Sequence, residues 1–266
     1  MLENKRGNSA STRNTRLAAI HAFFRYFAGR NPEKIEHCQR ILAIPFKRTM
    51  SRIVQYLEYD EIQAILSVID RSNEDGRRDY VLLVTMFNTG ARVQEILNLR
   101  SSDLQLIKPY QARFMGKGRK ERLCPLWPQT AQLLQEIIAI RNNTLTDERV
   151  FLNHRRQPLT RFGVRYLLAK YCELAKKNAP TLAGKRLHPH SMRHSTAVHL
   201  LKAGVDMITI SHWLGHTSIN TTNRYASVDL DVKREAISKI TIDTTNSMPT
   251  VPWRSDSSIL KWLEAL

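Results

Sequence analysis

The sequence contains little cysteine and no long apolar run. Its three cysteines are widely spaced and form no CxxC pair, so neither a disulfide framework nor a zinc ribbon is indicated. The longest apolar stretch, at residues 81–87, is far shorter than the roughly 20 residues that span a bilayer. The first residues are polar and lack the apolar core of a secretory signal. We therefore predict a cytoplasmic protein without a membrane segment.

Acidic residues are scarce relative to basic ones. The 266 residues include 41 Lys and Arg against 24 Asp and Glu, which gives a formal net charge of +17. A surplus of this size attracts polyanions, so nucleic acid is the leading class of partner. The length suits one large domain together with a smaller one.

The first fifty residues carry a helical and strongly basic pattern. Leu17, Ile20 and Phe24 recur at helical spacing, which predicts an amphipathic helix that ends near Gly29. A second, shorter helix is predicted at 35–42. The basic residues predicted to contact nucleic acid, here and in a later hairpin, are Arg13, Arg16, Lys47, Arg48, Arg119 and Lys120.

The chain from residue 58 to about residue 240 has helical patterning, apart from extended stretches between residues 103 and 125. Asp60 is the predicted cap of the first helix of this region. The predicted fold is therefore mainly α with a small antiparallel β-sheet (α+β). The predicted organisation is a short helical segment at 1–48, a basic linker at 49–57, a main domain at 58–240, and a tether with a C-terminal helix at 241–266.

The stretch TGARVQE places Arg92 and Glu95 three residues apart. On a helix this spacing puts both side chains on one face, where they can form an ion pair. Gly90 suits the end of the preceding helix. Taken alone, the pattern is more typical of a surface ion pair, which contributes little stability.

The stretch GKGRKER contains Lys117 between two glycines. A Gly-Lys-Gly turn between extended stretches predicts a hairpin that carries one amine at its tip. The spacing differs from that of a nucleotide-binding P-loop. Taken alone, the stretch indicates a basic turn.

The stretch HSMRH follows Pro189, which favours the first turn of a helix. His190 and Arg193 are then expected on one face near the helix N-terminus, where the partial positive charge favours bound phosphate. His194 and His199 are predicted to fall on other faces.

The stretch LGHTSINTTNRY follows a predicted helix that includes Ile208 and ends at Gly215. His216 lies just beyond that end, and Tyr225 comes nine residues later. Two interpretations stand side by side: a solvated loop that ends in a tyrosine, and a reactive phenol presented to a substrate.

Together these four stretches supply two arginines, a lysine, two histidines and a tyrosine. The set suits phosphoryl transfer, because guanidiniums hold phosphate oxygens, a phenol attacks phosphorus, and a lysine or histidine moves protons. Paired histidines, His188 with His190 or His212 with His216, leave a metal site as an alternative. However, no HExxH motif occurs and nearby carboxylates are scarce. We therefore predict neither a metal ion nor a cofactor.

The order TGxRxxE, GKGxKxR, HxxRH and LGHxxxxTTxxY resembles the tyrosine recombinase family of phage integrases and bacterial Xer-type recombinases. The resemblance covers roughly residues 58–240, and four ordered motifs at these spacings are highly specific. It implies the catalytic-domain fold of that family, preceded by a short helical segment. It also implies the following roles: Arg92 and Arg193 bind phosphate, Tyr225 is the nucleophile, Lys117 is the general acid toward the leaving 5′-oxygen, His190 is a general acid/base, His216 hydrogen-bonds phosphate, and Glu95 supports the first arginine.

The reaction implied by the resemblance cleaves a DNA strand through a 3′-phosphotyrosyl link and releases a 5′-hydroxyl. A 5′-hydroxyl of the partner strand then reseals the DNA, without ATP or a metal ion. The resemblance also implies double-stranded DNA as the partner and a homotetramer assembled on two duplexes. The helix within 241–266 is a candidate for docking on a neighbouring subunit.

One feature departs from the family pattern. Members carry an N-terminal core-binding domain of four or more helices, whereas fewer than sixty residues precede the catalytic region here. Either the protein is a naturally short member or the chain starts late.

Three alternative functions differ from recombination. They are a non-catalytic DNA-binding regulator on the same scaffold, DNA relaxation of the type IB topoisomerase kind, and a metal-dependent nuclease. The regulator is disfavoured, because every expected active-site position holds the expected residue type.

Overall fold

The computed structural model describes residues 7–49, 55–116, 120–140 and 149–215, together with Tyr225. The chain divides into two compact units, Met1–Ile53 and Val54–Leu266. The domain boundaries predicted from the sequence stay predictions. The predicted tether and C-terminal helix at 241–266 lie outside the described residues.

The N-terminal unit contains two helices joined by a short turn. Helix α1 spans Ala10–Ala28, and the Ser9 hydroxyl caps it by accepting a hydrogen bond from the backbone N–H of Thr12. Helix α2 spans Ile35–Leu42, the range that the sequence predicts. The two helices pack against each other, and their buried side chains are Leu17, His21 and Cys38.

The apolar stripe predicted on α1 is only partly buried. Leu17 is 6% exposed, whereas Ile20 is 39% exposed. Phe23 and Tyr26 also lie largely in solvent. The physical reason is that the eight-residue α2 is shorter than the 19-residue α1 and covers only part of its surface.

The second unit is built mainly from helices. None of the helices in the described part of the chain is long and apolar enough to cross a membrane. Short 3-10 turns at Ser101–Asp103 and Pro180–Gly184 lie between longer elements. The helices of this unit are α3 (Tyr59–Ser67), α4 (Glu74–Thr89), α5 (Val93–Asn98), α6 (Pro128–Ile140), α7 (Arg161–Ala175), α8 (Pro189–Lys202) and α9 (Met207–Leu214).

A three-stranded antiparallel sheet interrupts the helices. Its strands are β1 (Leu104–Gln105), β2 (Gln111–Met115) and β3 (Glu121–Pro125), in the order β1-β2-β3. Burial alternates along β2, with Ala112 and Phe114 inside, as expected for a sheet that covers the core with one face. The prediction of a mainly helical fold with a small antiparallel sheet is confirmed.

Helix α4 runs through the core and is buried along most of its length. Its buried threonines keep their hydroxyls satisfied, because Thr85 donates to the Val81 carbonyl and Thr89 donates to the Thr85 carbonyl, each at 2.7 Å. The helix ends at Gly90, which has a φ of +57°. This left-handed conformation confirms the predicted helix end and turns the chain sharply into α5.

One local prediction is wrong. Helix α3 begins at Tyr59, and its N-cap residue is Glu58 rather than Asp60; the Glu58 backbone N–H donates to Glu61 Oε2 at 2.8 Å. Ile208 lies on α9 as predicted but is 60% exposed. The buried apolar residues of α9 are instead Ile210 and Leu214, which pack with α8 side chains and Tyr225 in a second, smaller core.

Candidate active site

Arg92 is held at the start of α5 by Glu95. One guanidinium nitrogen donates to Glu95 Oε1 at 2.8 Å, and the Arg92 backbone N–H donates to Glu95 Oε2 at 2.8 Å. The predicted ion pair is therefore present. It is not a solvated surface pair, because the Glu95 side chain is only 6% exposed.

Glu95 also binds a second arginine that the sequence analysis did not single out. Arg122 on β3 donates to Glu95 Oε2 at 2.7 Å and to the Trp213 carbonyl on α9 at 3.1 Å. Burial alone would raise the pKa of Glu95, but the hydrogen bond and positive charge of Arg122, with help from Arg92, hold it below its ordinary value. The carboxylate is thus ionised at neutral pH and joins α5, the sheet and α9.

Arg193 on α8 is held by main-chain carbonyls. Its guanidinium donates to Gly90 O at 2.7 Å and to Leu214 O at 2.6 Å. The residue is 4% exposed. Burial, together with the nearby positive charge of Arg92, lowers the pKa of Arg193 to about 10. It therefore stays charged at neutral pH and links the ends of α4 and α9.

Arg92 and Arg193 meet at the end of α9. Arg92 donates to Gly215 O at 3.2 Å, while Arg193 donates to the preceding carbonyl, that of Leu214. Their guanidiniums therefore bind neighbouring peptide oxygens on one short turn. Two cations held this close form a site suited to an anion.

The segment before α8 is fixed to α3 through Glu61. The Thr181 hydroxyl donates to Glu61 Oε1 at 2.6 Å, and the Lys185 ammonium donates to Glu61 Oε2 at 2.5 Å. Because Glu61 is buried, these bonds are protected from water. They fix where α8 begins, and hence where its first-turn side chains lie.

His190 lies in the first turn of α8, as predicted from Pro189. Its ring centroid is 6.1 Å from that of His188 and 6.5 Å from that of His194. Partial burial lowers the pKa of His190 below its ordinary value, and the positive charges of His188, Arg193 and Arg92 lower it further. The neutral imidazole therefore predominates at neutral pH.

Tyr225 lies between α8 and α9, with its ring buried and only 2% of the residue exposed. Its hydroxyl oxygen is 2.7 Å from Nδ1 of His194. His194 directly follows Arg193 in the chain, so the phenol lies at the same end of α8 as the buried arginine.

Lys117 and His216 lie outside the described residues, but their described neighbours are at this site. The Gly116 backbone N–H donates to Lys120 O at 2.8 Å, next to the ends of β2 and β3. A side chain at Gly116 would come within 3.9 Å of Glu95 Oε1. The residue before His216 is Gly215, whose carbonyl Arg92 contacts.

Comparisons with known proteins bear directly on this geometry. The phage integrase family model matches residues 55–231. A putative integrase/recombinase, y4rC, of Sinorhizobium fredii is 39% identical over 266 residues, which are the whole of this chain and 79% of that protein. This chain belongs to the phage integrase family.

Tyrosine recombinases are among the relatives of this integrase-family chain. Tyrosine recombinase XerC of Bacillus licheniformis is 31% identical over 238 residues, with 87% of this chain and 75% of that protein covered. These relatives support site-specific recombination as the activity and do not favour the regulatory or relaxation alternatives.

Two solved structures share the fold of the integrase-family chain. One is the XerH site-specific recombinase bound to its difH substrate, with a TM-score of 0.63, 22% identity, and 84% of this chain and 71% of that chain covered. The other is the Tn1549 transposon integrase with circular intermediate DNA, with a TM-score of 0.66, 20% identity, and 88% and 81% covered.

The predicted DNA-binding residues of this integrase-family chain belong to both compact units. Arg13 is half-buried and donates to Pro45 O at 2.6 Å, so its guanidinium already has a partner within the N-terminal unit. The Lys47 backbone N–H bonds Asn14 Oδ1 at 3.0 Å. Arg119 lies outside the described residues, whereas Arg16, Arg48 and Lys120 are exposed.

Sequence reasoning missed two residues of this site, Arg122 and His194. Arg122 is the last residue of the GKGRKER stretch, and the sequence alone does not distinguish it from the other basic residues there. His194 was assigned to another face of α8, although it lies one turn after His190, and this spacing could have indicated a shared face. Among the described residues, no three His, Cys, Asp or Glu side chains converge to hold a metal ion.

Proposed function

We propose that this site-specific recombinase cleaves one strand of double-stranded DNA by attack of Tyr225 on a backbone phosphate. The Tyr225 Oη–P bond forms while the bond from phosphorus to the 5′-oxygen breaks. The products are a 3′-phosphotyrosyl link and a free 5′-hydroxyl. Attack by a 5′-hydroxyl of the partner strand reverses the chemistry and rejoins the DNA.

The paired arginines carry this proposal. Arg92 and Arg193 contact neighbouring carbonyls, those of Gly215 and Leu214, and Tyr225 contacts the residue that follows Arg193. Guanidiniums compensate the negative charge that develops on the non-bridging oxygens during phosphoryl transfer. The nucleophile and the charge-stabilising groups thus share one end of α8.

The proposal assigns the remaining roles to residues around these arginines. Lys117 protonates the leaving 5′-oxygen, which is supported by the position of Gly116 beside Glu95. His190 acts as a general acid/base, and His216 hydrogen-bonds the phosphate, which is supported by the contact of Arg92 with Gly215. Glu95 keeps Arg92 in place through their two hydrogen bonds.

The proposed assembly is a homotetramer on two DNA duplexes. The net charge of +17 supports salt-sensitive binding of a polyanion. In this scheme the segment 1–48 and the linker 49–57 add DNA contacts through Arg16 and Arg48, both exposed. The helix within 241–266 docks on the neighbouring subunit.

A suicide substrate tests the cleavage step. Duplexes bound by the full-length chain are selected from a random-sequence pool, and a nick is placed beside the scissile phosphate so that the cleaved strand diffuses away. The wild-type chain is expected to accumulate a covalent DNA adduct on a denaturing gel, and Tyr225→Phe is expected to form none. The matched control Tyr80→Phe is expected to react like wild type, because its ring contact with Arg71 survives the change.

Two outcomes contradict the proposal. One is a wild-type chain that binds the selected duplex without forming any adduct, which would favour a regulatory protein. The other is a Tyr225→Phe variant that forms as much adduct as wild type, which would place the nucleophile elsewhere.

A further inference from the structure

The Tyr225 hydroxyl lies within hydrogen-bonding distance of the His194 ring. Nδ1 of His194 lies 2.7 Å from the phenolic oxygen, and the ring centroids are 5.8 Å apart at an angle of 61°. The 2.7 Å separation is that of a hydrogen bond between the phenol and the imidazole.

We propose that His194, rather than His190, accepts the proton of Tyr225 when the phenol attacks the phosphate. The inference rests on the proposed function and adds to it the residue that activates the nucleophile. A proton acceptor must first lie within hydrogen-bonding reach of the proton that it takes. His194 meets that requirement, whereas the structure gives His190 no hydrogen bond to Tyr225 within the described residues.

The surroundings of Tyr225 explain why its proton needs an acceptor within the protein. The residue is 2% exposed, and its ring packs among apolar side chains that include Leu201, Ile210 and Leu214. Little water reaches the hydroxyl, so bulk solvent is poorly placed to remove the proton. A neutral imidazole with its hydrogen on Nε2 accepts the phenolic hydrogen at Nδ1.

The position of His194 on α8 also couples it to the phosphate site. It directly follows Arg193, and its ring centroid is 6.5 Å from that of His190. One helical turn thus carries an acid/base histidine, the buried arginine and the acceptor for the nucleophile. Movement of α8 relative to the phosphate would shift all three together.

As the Tyr225 Oη–P bond forms, the phenolic proton passes to Nδ1 of His194. The electron pair of the breaking P–O bond leaves on the 5′-oxygen, which takes its proton from Lys117. In the rejoining step the 5′-hydroxyl attacks phosphorus and gives its proton back to Lys117. The electron pair of the breaking Tyr225 Oη–P bond leaves on the phenolic oxygen, which recovers its proton from Nδ1 of His194.

Two substitutions of His194 separate proton uptake from hydrogen bonding and from side-chain volume. Asparagine places an amide oxygen close to the position of Nδ1, so His194→Asn keeps a hydrogen-bond acceptor for the hydroxyl but has no group basic enough to take its proton. His194→Leu removes the acceptor but retains apolar bulk. His212→Leu is the matched control, because His212 lies on the exposed surface of α9.

The experiment measures single-turnover adduct formation by the full chain on saturating nicked duplex, with oxygen or sulfur as the bridging 5′ atom. A thiolate leaves without a proton donor, so the sulfur duplex bypasses the general acid but not the activation of the nucleophile. Lys117→Ala provides the comparison variant. Adduct yield and DNA affinity are recorded for each chain.

We expect His194→Leu to react about 10²-fold more slowly than wild type on both duplexes, with unchanged DNA affinity. His194→Asn should be slowed to a similar extent, because its amide accepts a hydrogen bond but not the proton, and His212→Leu should match wild type. The sulfur duplex should accelerate Lys117→Ala but leave the defect of His194→Leu in place.

Several results overturn the inference. Reaction of His194→Leu within twofold of wild type, or its recovery on the sulfur duplex, excludes His194 as the acceptor, while the wild-type adduct keeps the proposed function intact. If wild type itself forms no adduct, the proposed function fails and the inference fails with it. If His194→Leu does not fold, His194→Asn replaces it, and reaction of His194→Asn within twofold of wild type counts against the inference.

Discussion

The N-terminal parts of α5 and α8 each place an arginine at the turn that ends α9, but the two arginines are held in different ways. Arg92 is 36% exposed at its side chain and pairs with the carboxylate of Glu95. Arg193 is 4% exposed and bonds two carbonyl oxygens, and no carboxylate pairs with it in the described part of the chain.

This difference assigns different tasks to the two cations. The carboxylate neutralises part of the charge of Arg92 and fixes its orientation. In the described part of the chain, the hydrogen bonds of Arg193 go to peptide carbonyls, which are weaker partners for a buried cation than a carboxylate is. We therefore expect an incoming phosphate to gain more from Arg193 and to be oriented mainly by Arg92. Substitutions at the two helix starts test this assignment.

The largest expected effect follows from removal of the buried cation. Arg193→Ala is expected to slow adduct formation by about 10³-fold, because two charged donors to the phosphate are lost. It also leaves Gly90 O and Leu214 O without their partner. We expect a loss of about 2–4 kcal/mol in the free energy of unfolding, measured by urea denaturation.

Arg113→Ala is the matched control for that prediction. Arg113 pairs with Asp103 at the surface of the sheet, where its side chain is 47% exposed. Its loss should change the free energy of unfolding by less than about 1 kcal/mol. Equal losses of unfolding free energy in the two variants would show that the buried hydrogen bonds of Arg193 stabilise the fold no more than an exposed ion pair does.

The second effect comes from the carboxylate at the other helix start. Glu95→Gln leaves Arg92 and Arg122 without a charged partner, so we expect about 3–5 kcal/mol of destabilisation. Misplacement of Arg92 should slow adduct formation by about 10²-fold. Glu173→Gln, which breaks an exposed pair with Lys176, serves as the control. A Glu95→Gln chain that cleaves at the wild-type rate would contradict the orienting task.

A third substitution, Gly90→Ala, strains the contact between the end of α4 and the end of α9. Gly90 has a φ of +57°, and an added Cβ would lie 2.5 Å from a methyl carbon of Leu214. Gly90→Ala should therefore cost about 2–4 kcal/mol, which combines left-handed strain with steric overlap. Adduct formation should fall about tenfold as the Gly90 carbonyl moves away from Arg193.

Gly204→Ala isolates the backbone part of that cost. Gly204 has a φ of +85°, and nothing lies within 4 Å of its added Cβ. We expect a loss of only about 1 kcal/mol by thermal or urea unfolding. If both glycine variants lose the same stability, the packing of Leu214 on Gly90 has no energetic consequence.

Local patterns in the sequence predicted those features of the two arginine sites that depend on residues close together in the chain. The Arg92–Glu95 pair follows from three-residue spacing, the end of α4 follows from Gly90, and the start of α8 follows from Pro189. The second helix and the interval that contains the strands were also predicted, because their periodicity is strong.

Contacts between distant segments could not be predicted by the same rules. Glu95 binds Arg122 across 27 positions, and His194 binds Tyr225 across 31. No local periodicity encodes either contact, since each depends on how α5, α8, α9 and the sheet pack. The site roles inferred by resemblance therefore stay predictions, while the geometry supplies two residues that motif reading passed over.

The smallest expected effect is a shift in the titration of His190. Partial burial and the positive charges of His188, Arg193 and Arg92 lower the pKa of His190 below its ordinary 6.5. Because the unfolded chain takes up this proton more readily, the contribution of His190 to stability is intact above pH 6.5 and is lost as the pH falls through the folded pKa. NMR titration of the imidazole should find its midpoint below 6.5 in the DNA-free chain, and closer to 6.5 in Arg92→Gln, which removes one of the repelling charges. A wild-type midpoint at or above 6.5 would mean that the arginine charges are already neutralised before phosphate binds, contrary to the task given to Arg193.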